Sequence, residues 1–323
     1  MKAFDEMYDE LQNVQNSELG QLLEEAVQEK KKINKITLIL CLIIDVIIIF
    51  YFGGFNALMR STGLSFPIVF PAIIVILVVD VIIYALVYVI FGKKNREYVI
   101  KYKNILITRL MNNFYTNVEY FPDKEMPQYI YDQGRYPERY NEYNSEDYLE
   151  AQIDGKYSLQ MAEVKTVEVT TRRDSDGDTH TERDTKFYGL FAKIMMDKSI
   201  NSELRVVENG KMFLDSNRLK MDSSEFEKYF DVEATNQIIG MQLLTADVME
   251  ELIEFKNKTN TRYEIGIDNN VLYLRFHCGD MFEPQKIKQK ELDRKSMEEY
   301  FNMLNFTYNL SNKIIKLVEE TEI

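Results

Sequence analysis

The stretch ITLILCLIIDVIIIFYF, residues 36–52, and the stretch FPIVFPAIIVILVVDVIIYALVYVIF, residues 66–91, decide how this chain is built. Each is an apolar run with a single aspartate inside it. The company is nearly the same in both: Ile44-Asp45-Val46-Ile47-Ile48 and Val79-Asp80-Val81-Ile82-Ile83. A membrane-spanning helix needs about 17–25 predominantly apolar residues. The first run is at the short end and the second is amply long. Joined by the short loop Gly53–Ser65, they read as a two-helix transmembrane hairpin with spans about 36–52 and 68–91. Pro67 and Pro71 fall in the first turns of the second helix, where a missing N–H costs least.

The flanking charges orient the hairpin. Lys30, Lys31, Lys32 and Lys35 precede the first run, Lys93, Lys94 and Arg96 follow the second, and the loop between carries only Arg60. The positive-inside rule then places both termini in the cytoplasm, a multi-pass arrangement. A long acidic segment ahead of the first run, with no small-residue cleavage site after it, argues against a signal peptide.

A charged group at the centre of a bilayer costs about 2.5–3.5 kcal/mol on insertion scales, so the two aspartates need a reason. Residues four apart share a helix face. Thr37, Cys41 and Asp45 align on the first helix; Asp80, Tyr84 and Tyr88 align on the second. One antiparallel offset sets Asp45 level with Asp80, Cys41 with Tyr84 and Thr37 with Tyr88, an intramembrane polar seam. Two close carboxyls in a low dielectric do not both ionise cheaply. The seam reads as glue within the hairpin or to another membrane helix, with a proton relay as the alternative.

The remainder is acidic. Over 323 residues the formal net charge is −13, which opposes nucleic-acid binding because phosphate neutralisation needs a basic footprint. Two cysteines, Cys41 and Cys278, exclude a disulfide framework. Ahead of the hairpin, Phe4, Met7, Tyr8, Leu11, Val14, Leu19, Leu22 and Ala26 recur at helical spacing, with Asp5, Glu6, Asp9, Glu10, Glu18, Glu24 and Glu25 on the other face. A membrane-surface helix carries Lys and Arg there instead. This acidic amphipathic helix, residues 1–30, is expected to pack on protein: the chain's own domain or a partner.

After the hairpin (residues 31–96) the spacing predicts a helix over Tyr98–Tyr120 and a tyrosine-rich connector to residue 148, wrapping over the domain through Tyr129, Tyr131, Tyr136, Tyr140, Tyr143 and Tyr148. Residues 149–323 are expected to form a cytosolic α+β domain, an antiparallel sheet with packed helices. Ser158–Thr171 leads through Asp174–Asp178 into Thr185–Met195. That tip lacks the glycine position and closing glutamate of a calcium loop, and a turn on Asp176-Gly177 accounts for it. A second hairpin is signalled by Glu203–Val207, Asn209-Gly210 and Lys211–Leu214. Helices are expected at Ser223–Phe230 and Thr245–Lys258, capped by Ser223 and Thr245. A third hairpin, Arg262–Ile267 with Val271–Phe276, precedes a terminal amphipathic helix bearing Met297, Phe301, Leu304, Tyr308, Ile315 and Val318 on one face.

The order of these pieces resembles a known family. The hairpin is followed by Ser145-Glu-Asp147, Asp154-Gly155-Lys156, Phe187-Tyr-Gly-Leu-Phe191, Phe226-Glu-Lys-Tyr-Phe230, Leu243-Leu-Thr245 and Phe282-Glu-Pro284. This is similar to the bacterial membrane family filed as domain of unknown function 3137. The resemblance implies a bacterial inner-membrane protein and carries no activity or catalytic residues with it.

No catalytic motif stands out. The Gly-Lys pairs at Gly92, Gly155 and Gly210 lack the upstream glycine of a phosphate loop. His277 and Cys278, adjacent on a predicted strand, point to opposite faces. Zinc spacing is absent. The chain is therefore expected to be no enzyme, to need no cofactor or metal, and to bind no nucleic acid. Its expected partners are the lipid bilayer and another protein or further copies of itself. The leading expectation is an integral membrane protein anchoring a cytosolic protein-interaction domain at the inner membrane. The alternatives are a proton-linked transport or sensing component using Asp45 and Asp80, and a lipid-binding module, since a small antiparallel sheet with a terminal helix is also how pleckstrin-like domains are arranged.

Overall fold

The computed structural model describes residues 1–61, 69–174, 176, 179–209, 217–283 and 291–320. They divide into two compact units: residues Val14–Tyr102 with 284–291, and the remainder.

The first unit is built from two long helices, α2 (Gly20–Ser61) and α3 (Val69–Tyr102), which pack on each other. Their less exposed residues recur at three- and four-residue steps: Cys41, Ile44, Asp45 and Ile48 on α2, and Ile76, Val79, Asp80, Ile83 and Val87 on α3. The opposite faces, with Leu42, Val46, Ile49, Leu77, Val81 and Leu86, are exposed. Among the described residues one helix, within Gly20–Gly54, is long and apolar enough to cross a membrane, and only 6% of that apolar stretch is buried. The described apolar part of α3, Ile74–Tyr88, is shorter than a span. The turn expected between the two runs, residues 62–68, lies outside the described residues.

The second unit contains the antiparallel sheet. Its order is β1 (Thr116–Phe121), β2 (Glu142–Ile153), β3 (Tyr157–Arg173), β4 (Thr179–Met195), β9 (Val271–His277), β8 (Arg262–Asp268), β5 (Glu203–Glu208), β7 (Phe230–Ala234) and β6 (Arg218–Leu219). Every described neighbouring pair is antiparallel. The β3–β4 and β8–β9 hairpins match the sequence reading. Gly177 and the second arm Lys211–Leu214 lie outside the described residues, and the two edges of β5 are taken by β7 and β8.

The sheet begins earlier than expected. The helix entering at Tyr98 continues through a π-helical turn, Lys103–Ile107, and a short α4 (Thr108–Asn112), but gives way to β1 at Thr116. There the backbone pairs with β2 instead, Thr116 opposite Gln152 and Phe121 opposite Tyr148, with Tyr120 buried. Short helices α5 (Gln128–Asp132), α6 (Phe226–Tyr229) and α7 (Gln237–Leu243) sit between strands. Helix α8 (Ala246–Thr259) starts where Thr245 Oγ1 accepts from the Val248 N–H at 3.4 Å. Ser223 Oγ likewise accepts from the Phe226 N–H at 3.2 Å.

Both faces of the sheet centre are covered. On one, helix α9 (Arg294–Glu320) and α8 supply Phe306 and Phe255, stacked at 3.8 Å and packed around Phe276 and Tyr263. On the other, the tyrosine-rich segment lays Tyr131, Tyr136 and Tyr143 against Phe187, Phe191 and Tyr273. The connector thus wraps the domain as its amphipathic rings predict. The first thirteen residues belong to this unit as well. On α1 (Phe4–Ser17) the Phe4 ring meets Phe301 at 5.5 Å, and the Tyr8 hydroxyl donates to the Leu292 carbonyl at 2.7 Å.

Candidate functional site

Two polar constellations are buried in the α+β unit. The first is assembled by a β-bulge. The β2–β3 register runs Glu146 opposite Glu163 and then slips before Leu149. Asp147, in the bulge, takes a left-handed φ of 56°. A bulge re-aims the side chain it displaces, and Asp147 points into the interior. There its Oδ2 receives the Lys103 ammonium at 2.7 Å and its Oδ1 the Tyr120 hydroxyl. Lys103, the first residue of the π-helical turn, also reaches Glu283 at 2.5 Å and Glu146 at 3.9 Å. Burial works against ionisation of both partners. It pushes the Asp147 carboxyl up despite its ammonium partner, while the neighbouring carboxylates outweigh it at Lys103 and hold that amine protonated.

Glu163 stands beside this pair. Its side chain is 2% exposed. Its Oε1 accepts from the Met281 and Phe282 N–H groups at 2.7 and 2.8 Å, and its Oε2 has no partner. Burial, reinforced by Asp147, pushes its carboxyl up to about 8. The loop that donates these N–H groups comes off β9 across Gly189. A Cβ at that glycine would lie 2.0 Å from the Phe276 carbonyl oxygen and 2.7 Å from the Cys278 nitrogen, so only glycine lets the chain pass. The same loop brings in Asp280. Oxygens of Glu146, Asp147 and Glu283, and separately of Glu146, Glu163 and Asp280, come within 4.8 Å of one another. In the first group the Lys103 ammonium already supplies the positive charge.

The second constellation is an ion-pair network. Arg275, 1% exposed, donates to Glu264, to Glu138 at 2.7 Å and to the Tyr131 hydroxyl at 3.0 Å, and its guanidinium lies 3.8 Å from the Tyr136 ring centre. Arg262 pairs with Glu264 at 2.8 Å. A cleft of about 820 Å³ opens beside it, lined in part by Tyr136, Glu138, Arg205, Arg262 and Glu264. His277, whose Nε2 lies 3.5 Å from Glu264, is lowered by burial and so is neutral at pH 7.

The seam residues read from the sequence take these places. Cys41 lies close to Asp80 and Asp45. Thr37 Oγ1 donates to the Ile33 carbonyl of its own helix at 2.9 Å. Tyr84 and Tyr88 are exposed, at 63% and 72%. The face of α3 turned towards α2 continues from Asp80 through Ile83 and Val87, so the rotation of the helix carries both tyrosines outward. Asp45 Oδ1 and Asp80 Oδ1 are buried without a partner.

Residues 185–316 match the family described as protein of unknown function DUF3137. No curated protein matches the chain. The crystal structure of the mycobacterial trehalose monomycolate transport factor A, TtfA, is similar at a TM-score of 0.32 and 9% identity, over 61% of this chain and 88% of that one. A likeness this distant carries no inference. The motifs Phe187–Phe191, Phe226–Phe230, Leu243–Thr245 and Phe282–Pro284 all fall inside the matched span, and the match over residues 185–316 supports the family resemblance read from them.

Proposed function

We propose that this is an integral membrane protein in which α2 and α3 form a membrane-spanning hairpin that anchors an acidic α+β domain on the cytoplasmic face, where it binds another protein. One observation carries the reading. Only 6% of the apolar stretch of α2 is buried, and Leu38, Leu42, Val46, Ile49 and Phe50 on it are exposed. At about 25 cal/mol per Å², leaving such a surface in water is strongly unfavourable, and lipid removes the cost. That lack of cover argues against a core helix of a soluble domain. The Lys and Arg placement supports cytoplasmic ends, and a chain without a catalytic motif is best accounted for by binding.

A phosphatase reporter fused at the C-terminus, active only outside the cytoplasm, should stay silent, and a cytoplasmic reporter at the same point should be active. The reverse pattern overturns the topology. Purification of the full chain in mild detergent should retain a stoichiometric protein partner, and recovery of the chain alone as a monomer overturns the interaction role.

A specific observation also favours a proton-linked role as the second reading. Asp45 and Asp80 each keep an unpartnered carboxyl oxygen between apolar helices. In a lipid environment such residues mark either helix assembly or proton movement.

A further inference from the structure

Glu146 and Glu163 stand directly opposite each other on β2 and β3. Like charges in that position repel. Asp280 approaches the same point from the loop after β9, so that one oxygen from each of the three lies within 4.8 Å of the others. Around a hard divalent cation the ligand oxygens sit at about 2.0–2.6 Å, which sets them roughly 3–5 Å apart.

A divalent ion would balance these carboxyls in their ionised form. Five carboxyls, Glu146, Asp147, Glu163, Asp280 and Glu283, gather here, and among the described residues only Lys103 brings an ammonium within ion-pair distance of any of them. Lys103 is committed to Asp147 and Glu283, at 2.7 and 2.5 Å. The independent sign is Glu163 Oε2: a carboxyl oxygen, on a cluster residue only 2% exposed, that has no hydrogen-bond partner. A buried acceptor left unpaired is costly. The other oxygen of the same group is fixed by the Met281 and Phe282 N–H groups, which hold the carboxyl in place.

We infer that Glu146, Glu163 and Asp280 form a binding site for a hard divalent cation of the calcium, magnesium or manganese class. Oxygen-only ligands select these ions over zinc or copper. Glu163 is the interior ligand; Glu146 and Asp280, both exposed, leave the outer side to water. The ion ties β2 and β3 to the loop following β9 and relieves the repulsion across the strand pair. This site stands apart from the membrane reading and fails or holds independently of it.

The test uses the full chain in detergent, stripped with chelator and titrated with manganese(II), free ion being read by electron paramagnetic resonance. The expected result is one saturable site per chain with a Kd below about 1 mM, the weak end for protein calcium sites. Calcium or magnesium should displace the manganese. Glu163→Gln and Asp280→Asn should each weaken binding at least tenfold. Glu283→Gln, whose carboxylate serves Lys103, should change it less than threefold. Circular dichroism checks that each variant folds; Glu146→Gln, on an exposed side chain, replaces Glu163→Gln if that variant does not. Absence of saturable binding, or equal affinity in wild type and the ligand variants, overturns the site and leaves a proton shared among the carboxyls as the resolution of their repulsion.

Discussion

Glu264 and Glu163 are both buried carboxyls on one sheet, and their surroundings send them opposite ways. Burial opposes ionisation at Glu264, yet the neighbouring His277 ring, Arg275 and Arg262 outweigh it and hold the carboxyl at about 2. A folded-state value below the ordinary 4.5 means that ionised Glu264 contributes stability, fully present above about pH 4.5 and lost as pH falls towards 2. The shift corresponds to about 3 kcal/mol. Glu264→Gln should therefore lower the thermal midpoint, with the gap between wild type and variant widest above pH 5 and closing towards pH 2. Melting curves followed by circular dichroism across that range check it, and a gap independent of pH refutes it. Gly189 makes the second residue-scale prediction. Its added Cβ would meet the Phe276 carbonyl at 2.0 Å, an overlap with backbone that no side-chain rotation relieves. Gly189→Ala should cost more than about 3 kcal/mol and loosen the loop that holds Glu163, seen as faster amide exchange at Met281 and Phe282.

At the scale of elements, α9 is fastened to the sheet by aromatic contact. Phe306 stacks on Phe255 at 3.8 Å and meets Tyr263 at 5.5 Å. Phe306→Ala should cost about 3–5 kcal/mol by denaturant unfolding. Combining it with Phe255→Ala should cost less than the sum by about 1 kcal/mol, because one stacking contact is lost in both. This helix was legible in the sequence, since Met297, Phe301, Leu304, Ile315 and Val318 repeat at its period and are all buried. The long hairpins were legible through their alternation and turn residues. Strand β7 was not: Phe230–Ala234 follows a helical turn directly, and five residues give too short a pattern. Helix α7, seven residues with an internal Gly240, was hidden for the same reason. The carboxylate cluster was illegible because its members, Glu146, Asp147, Glu163, Asp280 and Glu283, share no spacing and meet only through strand pairing and a loop crossing. One signal was present. Ser145-Glu-Asp147 and Phe282-Glu-Pro284, quoted for the family resemblance, hold three of the five. On α2, Thr37, Cys41 and Asp45 do share the less exposed face that their four-residue spacing implies. On α3 a four-residue step could not tell which side of Asp80 faces the partner, and the structure turns Tyr84 and Tyr88 away.

For the molecule as a whole, the unanswered oxygens of Asp45 and Asp80 bear on assembly. Cys41 lies close to both, and each aspartate has a carboxyl oxygen without a partner. On the proposed membrane-hairpin reading, a donor on another helix would meet that need, and interhelical hydrogen bonds of this kind are worth about 0.6–2 kcal/mol each. On that reading, two such bonds per chain would favour association of the hairpins. Asn at both positions keeps a donor and an acceptor of the same size but cannot carry a proton. Leu at both removes the polar groups and makes insertion easier. Crosslinking in membranes followed by gel analysis should therefore show oligomer retained in the Asp45→Asn/Asp80→Asn variant and reduced several-fold in the Asp45→Leu/Asp80→Leu variant. Oligomer unchanged in the Leu variant refutes a role in assembly. If the Asn variant assembles normally yet fails to complement a deletion strain, the same residues serve proton movement instead, because protonation is the property that Asn lacks.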